Sequence, residues 1–157
     1  MIRNILVYPD PFLSKRAEPV LKIDYQIREL IQDMFDTMYE SEGIGLAATQ
    51  IGVAKRVIVL DVPSADEKGA PIVLVNPEIV GSDGEIMTNA EGCLSVPGVA
   101  GEVLRPEAVI VNGMNENGEP VTLFAGGLLG RALQHEIDHL NGVLFIDRIP
   151  ASTATDK

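Results

Sequence analysis

Residues 134–142 read QHEIDHLNG, with histidines at 135 and 139 and a glutamate directly after the first. This stretch reads as the end of a helix that runs from about Gly127 to Asn141 and is stopped by Gly142. At about 100° per residue, His135 and His139 project within about 40° of each other and one turn apart. Both imidazoles can therefore reach one ion, with Glu136 on the adjoining face, the arrangement behind the metal motif H-E-x-x-H. Leu128 and Ala132 continue the same face toward the helix start. The chain has two histidines in all, so a metal held here must draw its remaining protein ligand from another kind of residue.

Outward from that helix, DYQIRELIQDMFDTMYESEG (residues 24–43) places Ile27, Leu30, Ile31, Met34, Phe35 and Met38 at helical spacing. Asp24 reads as its N-cap and Gly43 as its stop. RVIVLDV (56–62) and PIVLVN (71–76) read as strands, as do the two arms of AVIVNGMNENGEPVTLF (108–124), which meet at an Asn117-Gly118 hairpin turn. VLFIDRI (143–149) resumes strand character before a polar tail from about Pro150. Two helices among antiparallel strands predict an α+β fold rather than an alternating parallel one. No linker or repeat divides the chain, and its 157 residues, 46% of them hydrophobic, are enough for one domain over 1–157 with a sizeable core.

Charge and composition narrow the function. A formal net charge of -11 repels phosphate backbones and anionic lipid, so sequence-independent binding to nucleic acid or a membrane surface is not expected. The N-terminus MIRNILVYPDPFLSKRAEPV holds no long apolar run before its prolines, and no stretch approaches membrane-spanning length. The expectation is a soluble, unexported protein. A lone cysteine, Cys93, cannot form an internal disulfide and leaves its thiol available for chemistry.

Two residues compete to complete the metal site. Peptidases with this motif take a downstream glutamate or histidine, yet the eighteen residues after His139 contain neither. Asp147 is the acid nearest the helix end, in a run whose alternation can turn it outward. Cys93 lies in EGCLSVPG (91–98), where glycines and a proline can hold a thiolate rigidly, and Cys-His-His with one open position is a catalytic coordination set. GIGLAATQIG (43–52) matches the dinucleotide pattern G-x-G-x-x-A, but here a helix precedes and a strand follows, the reverse of what that motif needs. Its glycines suit close backbone approach to an extended ligand. The Gln50 amide could donate to an oxygen that develops negative charge. Ile44, with Leu128 and Ala132, offers apolar surface for an unbranched side chain such as methionine.

GIGLAATQ (43–50), EGCLS (91–95) and QHEIDH (134–139), in this order and spacing, resemble the three signature motifs of the peptide deformylases, and the likeness runs from ILVYPDP (5–11) to GVLFIDRI (142–149). The resemblance implies an α+β fold with antiparallel strands around the central, histidine-bearing helix. It implies a metal-dependent hydrolase that removes the N-formyl group from newly made polypeptides and releases formate. Cys93, His135 and His139 would be the metal ligands, Glu136 the general acid/base, and Gln50 with the Leu94 N–H the oxyanion donors. Gly45 would pair with the substrate backbone. Ferrous iron is the native metal it implies, with Zn²⁺, Ni²⁺ or Co²⁺ able to substitute, and the partners are N-formyl-Met nascent peptides, met in transient proximity to the ribosome. The cytoplasm is the expected location, or an organellar stroma or matrix.

Two features depart from that pattern. Many bacterial relatives carry a basic C-terminal helix implicated in ribosome contact, whereas this sequence gives ASTATDK after IDRIP, so docking by that route is not expected. Ala100 stands where relatives commonly have a larger side chain, which would widen a substrate-facing rim. Arg105 and Asp138 are expected to form a supporting ion pair. Two rival readings share the helix: another metallohydrolase, such as a small peptidase, would cleave unformylated amides, and a non-catalytic metal-binding module would be indifferent to loss of Glu136. Neither gives EGCLS or Gln50 a role.

Overall fold

The computed structural model describes residues 1–63 and 70–149. Five strands, β1 (Gly45–Ala47), β2 (Val57–Asp61), β3 (Pro71–Cys93), β4 (Val96–Met114) and β5 (Pro120–Gly126), form one sheet in the order β1-β2-β3-β4-β5, every neighbour antiparallel. Helices α1 (Tyr25–Glu40) and α2 (Gly127–Leu140) complete the α+β architecture expected from the sequence. Among the described residues, no helix is long and apolar enough to cross a membrane.

β2 explains how two helices share one sheet. Its residues Val57, Ile58, Val59 and Leu60 are all wholly buried, because the strand is covered on both faces, as an unbroken apolar run requires. Val57 and Val59 face a core with Leu46, Val73 and Val75 and with Ile27, Leu30, Ile31, Met34 and Met38 of α1. Ile58 and Leu60 face the opposite core, with Leu74, Val109 and Val111 and with Leu133, Ile137 and Leu140 of α2. Each such side chain contributes about 1.5–3 kcal/mol when removed from water. A third cluster, Leu13, Val96, Val103, Leu144 and Phe145, closes the far side. Every α2 residue from Ala132 to Leu140 is consequently buried.

The helix ends follow the sequence with one shift. Asp24 caps α1, its carboxylate accepting from the Ile27 N–H at 3.0 Å, a bond worth about 1 kcal/mol. At the other end the left-handed residue is Glu42 (φ 58°) and not Gly43. The Glu42 N–H donates to the Tyr39 carbonyl and the Gly43 N–H to the Met38 carbonyl, a Schellman closure in which glycine takes the position after the turn. α2 ends as expected: Gly142 (φ 78°) donates to the His139 carbonyl and Val143 to that of Asp138.

Two strand readings need correction. VLFIDRI is not a strand; Phe145–Arg148 form a 3-10 turn. Leu144 and Phe145 both face the third core, and the Asp147 carboxylate accepts the Leu144 N–H at 2.9 Å, so local capping and packing override the apolar pattern. β3 extends far beyond PIVLVN, to Cys93, because the largely polar run GSDGEIMTNAEG, exposed from Ser82 to Ala90, pairs with β4 from Gly81↔Ile110 to Gly92↔Ala100 with several register shifts. The hairpin at Asn117-Gly118 is present, Gly118 at φ 80° and the Asn115 carboxamide accepting from the N–H groups of Asn117 and Glu119. The polar tail from about Pro150 lies outside the described residues.

Candidate active site

The end of β3 and the last two turns of α2 bring the chemistry together. The ligand atoms of Cys93, His135 and His139 all lie within 4.8 Å of one another. The Cys93 Sγ is 3.3 Å from His139 Nε2, which is 3.2 Å from His135 Nε2. His135 Nδ1 faces Glu91 Oε1 at 3.1 Å. A carboxylate cannot donate, so Nδ1 carries a proton and Nε2 is the ring atom turned toward His139 and Cys93. Burial opposes charge on this ring, but hydrogen bonding to Cys93 and Glu91 outweighs it and pushes the imidazole up to about 10. Burial holds the His139 imidazole well below its usual range, which favours its neutral form, the one that can bind a metal. Three soft or borderline donors converging on one point fit a divalent transition metal. Asp147 is not among them, being spent on the Leu144 N–H.

Glu136 stands beside this set. It is 5% exposed, its Oε1 meets no hydrogen-bond partner among the described residues, and burial pushes its carboxyl up to about 7. It can lie there because residue 45 has no side chain: a Cβ on Gly45 would come within 2.7 Å of Glu136 Oε2. Gln50, 2% exposed, is oriented by its own Oε1, which accepts the Ala47 N–H at 2.9 Å. Its Nε2 therefore turns to Ser95 Oγ (3.1 Å) and the Cys93 sulfur (3.6 Å). Leu94 lies in the two-residue turn between Cys93 and Val96, which pair as β3 passes into β4.

A cavity of about 640 Å³ opens onto this cluster. All four expected substrate-facing residues, Ile44, Gly45, Leu128 and Ala132, line it, as does Ala100 on its rim. Gly45 belongs to β1, one of the two edge strands of the sheet.

Sequence reading missed Glu91, the centre of the polar frame behind the three candidate ligands. Glu91, 8% exposed, accepts from Arg105 Nε (2.6 Å) and Nη2 (3.0 Å), from Arg131 Nη1 (2.8 Å) and from His135. Burial alone would raise its pKa, but the hydrogen bonds from His135, Arg105 and Arg131 overcome this and hold it well below the usual carboxylate range. Arg105 also reaches Asp138 Oδ2 at 2.9 Å, the pair expected from the sequence, and Asp138 accepts from Arg148 Nε and Nη2 as well. The Phe145 ring stacks on His135 with centroids 6.2 Å apart. The available signal for Glu91 was its place two residues before Cys93, which puts both on one face of a strand.

The family model described as polypeptide deformylase matches residues 2–155. The chain is 51% identical over 148 residues to a peptide deformylase of Thermodesulfovibrio yellowstonii, covering 94% of this chain and 89% of that protein. Among solved structures it is similar to a peptide deformylase from Legionella pneumophila (TM-score 0.90, 48% identity, 97% of this chain and 88% of that one). A second match is the enzyme from Synechococcus elongatus solved in complex with actinonin (TM-score 0.89, 46% identity, 94% and 79%).

Proposed function

Because the chain belongs to the peptide deformylase family, metal-dependent hydrolases acting on formylated nascent peptides, we propose that it hydrolyses the N-formyl group of N-terminal methionine with the residues assembled here. Convergence of Cys93, His135 and His139 on one point, with Glu136 against the cavity wall, is the observation that carries this reading. The whole chain is read as one catalytic domain, working wherever formylated chains are made, in the cytoplasm or an organellar compartment, and close to the ribosome.

Cys93, His135 and His139 would hold the ion. When bound, it supplies Lewis acidity, lowering the pKa of a neighbouring water and polarising a carbonyl. Glu136 takes that water's proton while the oxygen attacks the formyl carbon. The Gln50 amide and the Leu94 N–H receive the negative charge on the former carbonyl oxygen, where one preorganised donor is worth about 3–4 kcal/mol. Glu136 then returns the proton to the amine as the C–N bond breaks, leaving formate and a free N-terminus. A sulfur engaged as a ligand is unavailable as a nucleophile, so no acyl-enzyme forms.

The test is incubation of metal-loaded protein with formyl-Met, acetyl-Met and unformylated Met peptides, assaying formate and free amine. Formate from the first alone is expected; cleavage within the unformylated peptide would replace this reading with that of a peptidase.

Ile44, Leu128 and Ala132 would receive the methionine side chain. Each buried methylene contributes about 0.8 kcal/mol, so preference among apolar first residues should be graded. At limiting substrate, formyl-Met-peptides are expected to outpace formyl-Asp-peptides, and equal rates would sink this pocket assignment.

Two imidazoles and a thiolate bind Zn²⁺ more tightly than Fe²⁺, while the family resemblance points to iron. We infer that the ferrous form, prepared without oxygen, is highly active and decays in air, with Cys93 an oxidation target, whereas nickel or cobalt forms persist. Equal activity and equal air stability of the iron, nickel and zinc forms would defeat the iron assignment.

A further inference from the structure

We propose that Arg105 is a positioning residue for the metal site: its buried guanidinium ties Glu91, on the cysteine-bearing strand, to Asp138, on the histidine-bearing helix, and thereby sets the distance between the two halves of the ligand set. The inference rests on the ligand assignment above and concerns what holds those ligands in register.

The problem it answers is geometric. Cys93 ends β3, whereas His135 and His139 belong to α2, and among the described residues β3 pairs only with β2 and β4 in the sheet. No ladder of backbone hydrogen bonds therefore joins the two halves. Ligand distances must nevertheless hold to about 0.2 Å for a metal to bind well. Side chains have to supply that precision.

Arg105, projecting from β4, is placed to do so. It gives Glu91 a two-pronged grip, Nε to Oε2 at 2.6 Å and Nη2 to Oε1 at 3.0 Å. Its remaining prong, Nη1, reaches Asp138 Oδ2 at 2.9 Å. Glu91 lies two residues before Cys93, and Asp138 lies between the two histidines, directly before His139. Glu91 Oε1 also receives His135 Nδ1, so the same carboxylate is fixed to both halves and orients an imidazole. The Arg105 side chain is 3% exposed, where solvent screens these contacts little.

The other two arginines each hold one carboxylate. Arg131, on α2 and with its side chain 11% exposed, donates to Glu91 and to the Val103 and Met87 carbonyls, while Arg148 grips Asp138 from the turn after α2, with its side chain 46% exposed. Among the described residues, Arg105 is the cation that contacts both carboxylates. Lysine would preserve charge but not the planar fork that makes three directed contacts.

The experiment measures Zn²⁺ affinity by competition with a chelator, and the Co²⁺-thiolate absorption band, in wild type, Arg105→Lys, Arg148→Gln and Cys93→Ala. Arg105→Lys is expected to weaken zinc binding by about 10- to 100-fold, the range for lost outer-sphere support, and to alter the cobalt band. Arg148→Gln, removing a half-exposed contact, should change affinity by less than about fivefold. Wild-type affinity and an unaltered cobalt band in Arg105→Lys would overturn the proposal while leaving the ligand set intact. Wild-type affinity in Cys93→Ala would instead overturn the ligand set. Should Arg105→Lys fail to fold, Asp138→Asn loosens the same clamp by its other end. It is expected to weaken zinc binding and shift the band, and unchanged values there would equally defeat the proposal.

Discussion

Glu136→Gln is expected to retain metal and lose turnover by at least the roughly 10²- to 10⁴-fold typical of removing a general acid/base. Glutamine has nearly the same shape, so the close approach between residue 136 and Gly45 survives and the three ligands are untouched. On the proposed mechanism, what disappears is the ability to accept a proton from water and return it to the amine. Among the described residues the Glu136 Oε1 has no hydrogen-bond partner, so the substitution breaks none of their bonds at that atom, and a rate loss reports on chemistry more than on folding. Metal content and kcat should be measured on the same preparation. Near-normal turnover would move the proton-handling role to another group.

Cys93→Ala is expected to lose metal and activity together, in contrast to Glu136→Gln. It removes the sulfur donor from a set of three, and the sulfur also accepts weak contacts from Gln50 Nε2 and the Ser95 N–H, so the turn bearing Leu94 loses an anchor as well. Elemental analysis after dialysis is the direct measurement. Full metal occupancy in this variant would exclude the proposed ligands, whatever its activity.

The parts of this molecule legible in its sequence are those governed by short-range periodicity. His135, Glu136 and His139 share one helix, so their juxtaposition follows from 3.6 residues per turn, and the Asp24 cap and Gly142 stop are equally local. Cys93 could be nominated because the other candidates were few, but its distance from the histidines depends on the sheet. The frame of Glu91, Arg105 and Asp138 depends on it still more. Those three residues lie on two strands and a helix, and the pairing of β3 with β4 slips register several times on the way, which no local pattern encodes. Polar residues 81–92 look like loop by propensity and are strand by pairing. VLFIDRI fails in the opposite sense: its side chains have strand-like chemistry, yet the third core takes Leu144 and Phe145 in succession, which a strand cannot present to one face. Gly43 marked the right place for the α1 stop while the left-handed conformation fell to its neighbour Glu42.

The contact between Gly45 and Glu136 also limits how the protein can vary over time. Every substitution of a glycine adds at least a Cβ, and at this position that atom would collide with the carboxylate oxygen. Most cavity-wall positions could drift toward larger or smaller side chains and reshape what the enzyme accepts, or escape an inhibitor lodged there. Position 45 has no such neighbours in sequence space: any codon change that alters the residue pushes first on the buried Glu136 carboxylate, so this part of the wall is narrowed in what it can become while the rest stays open.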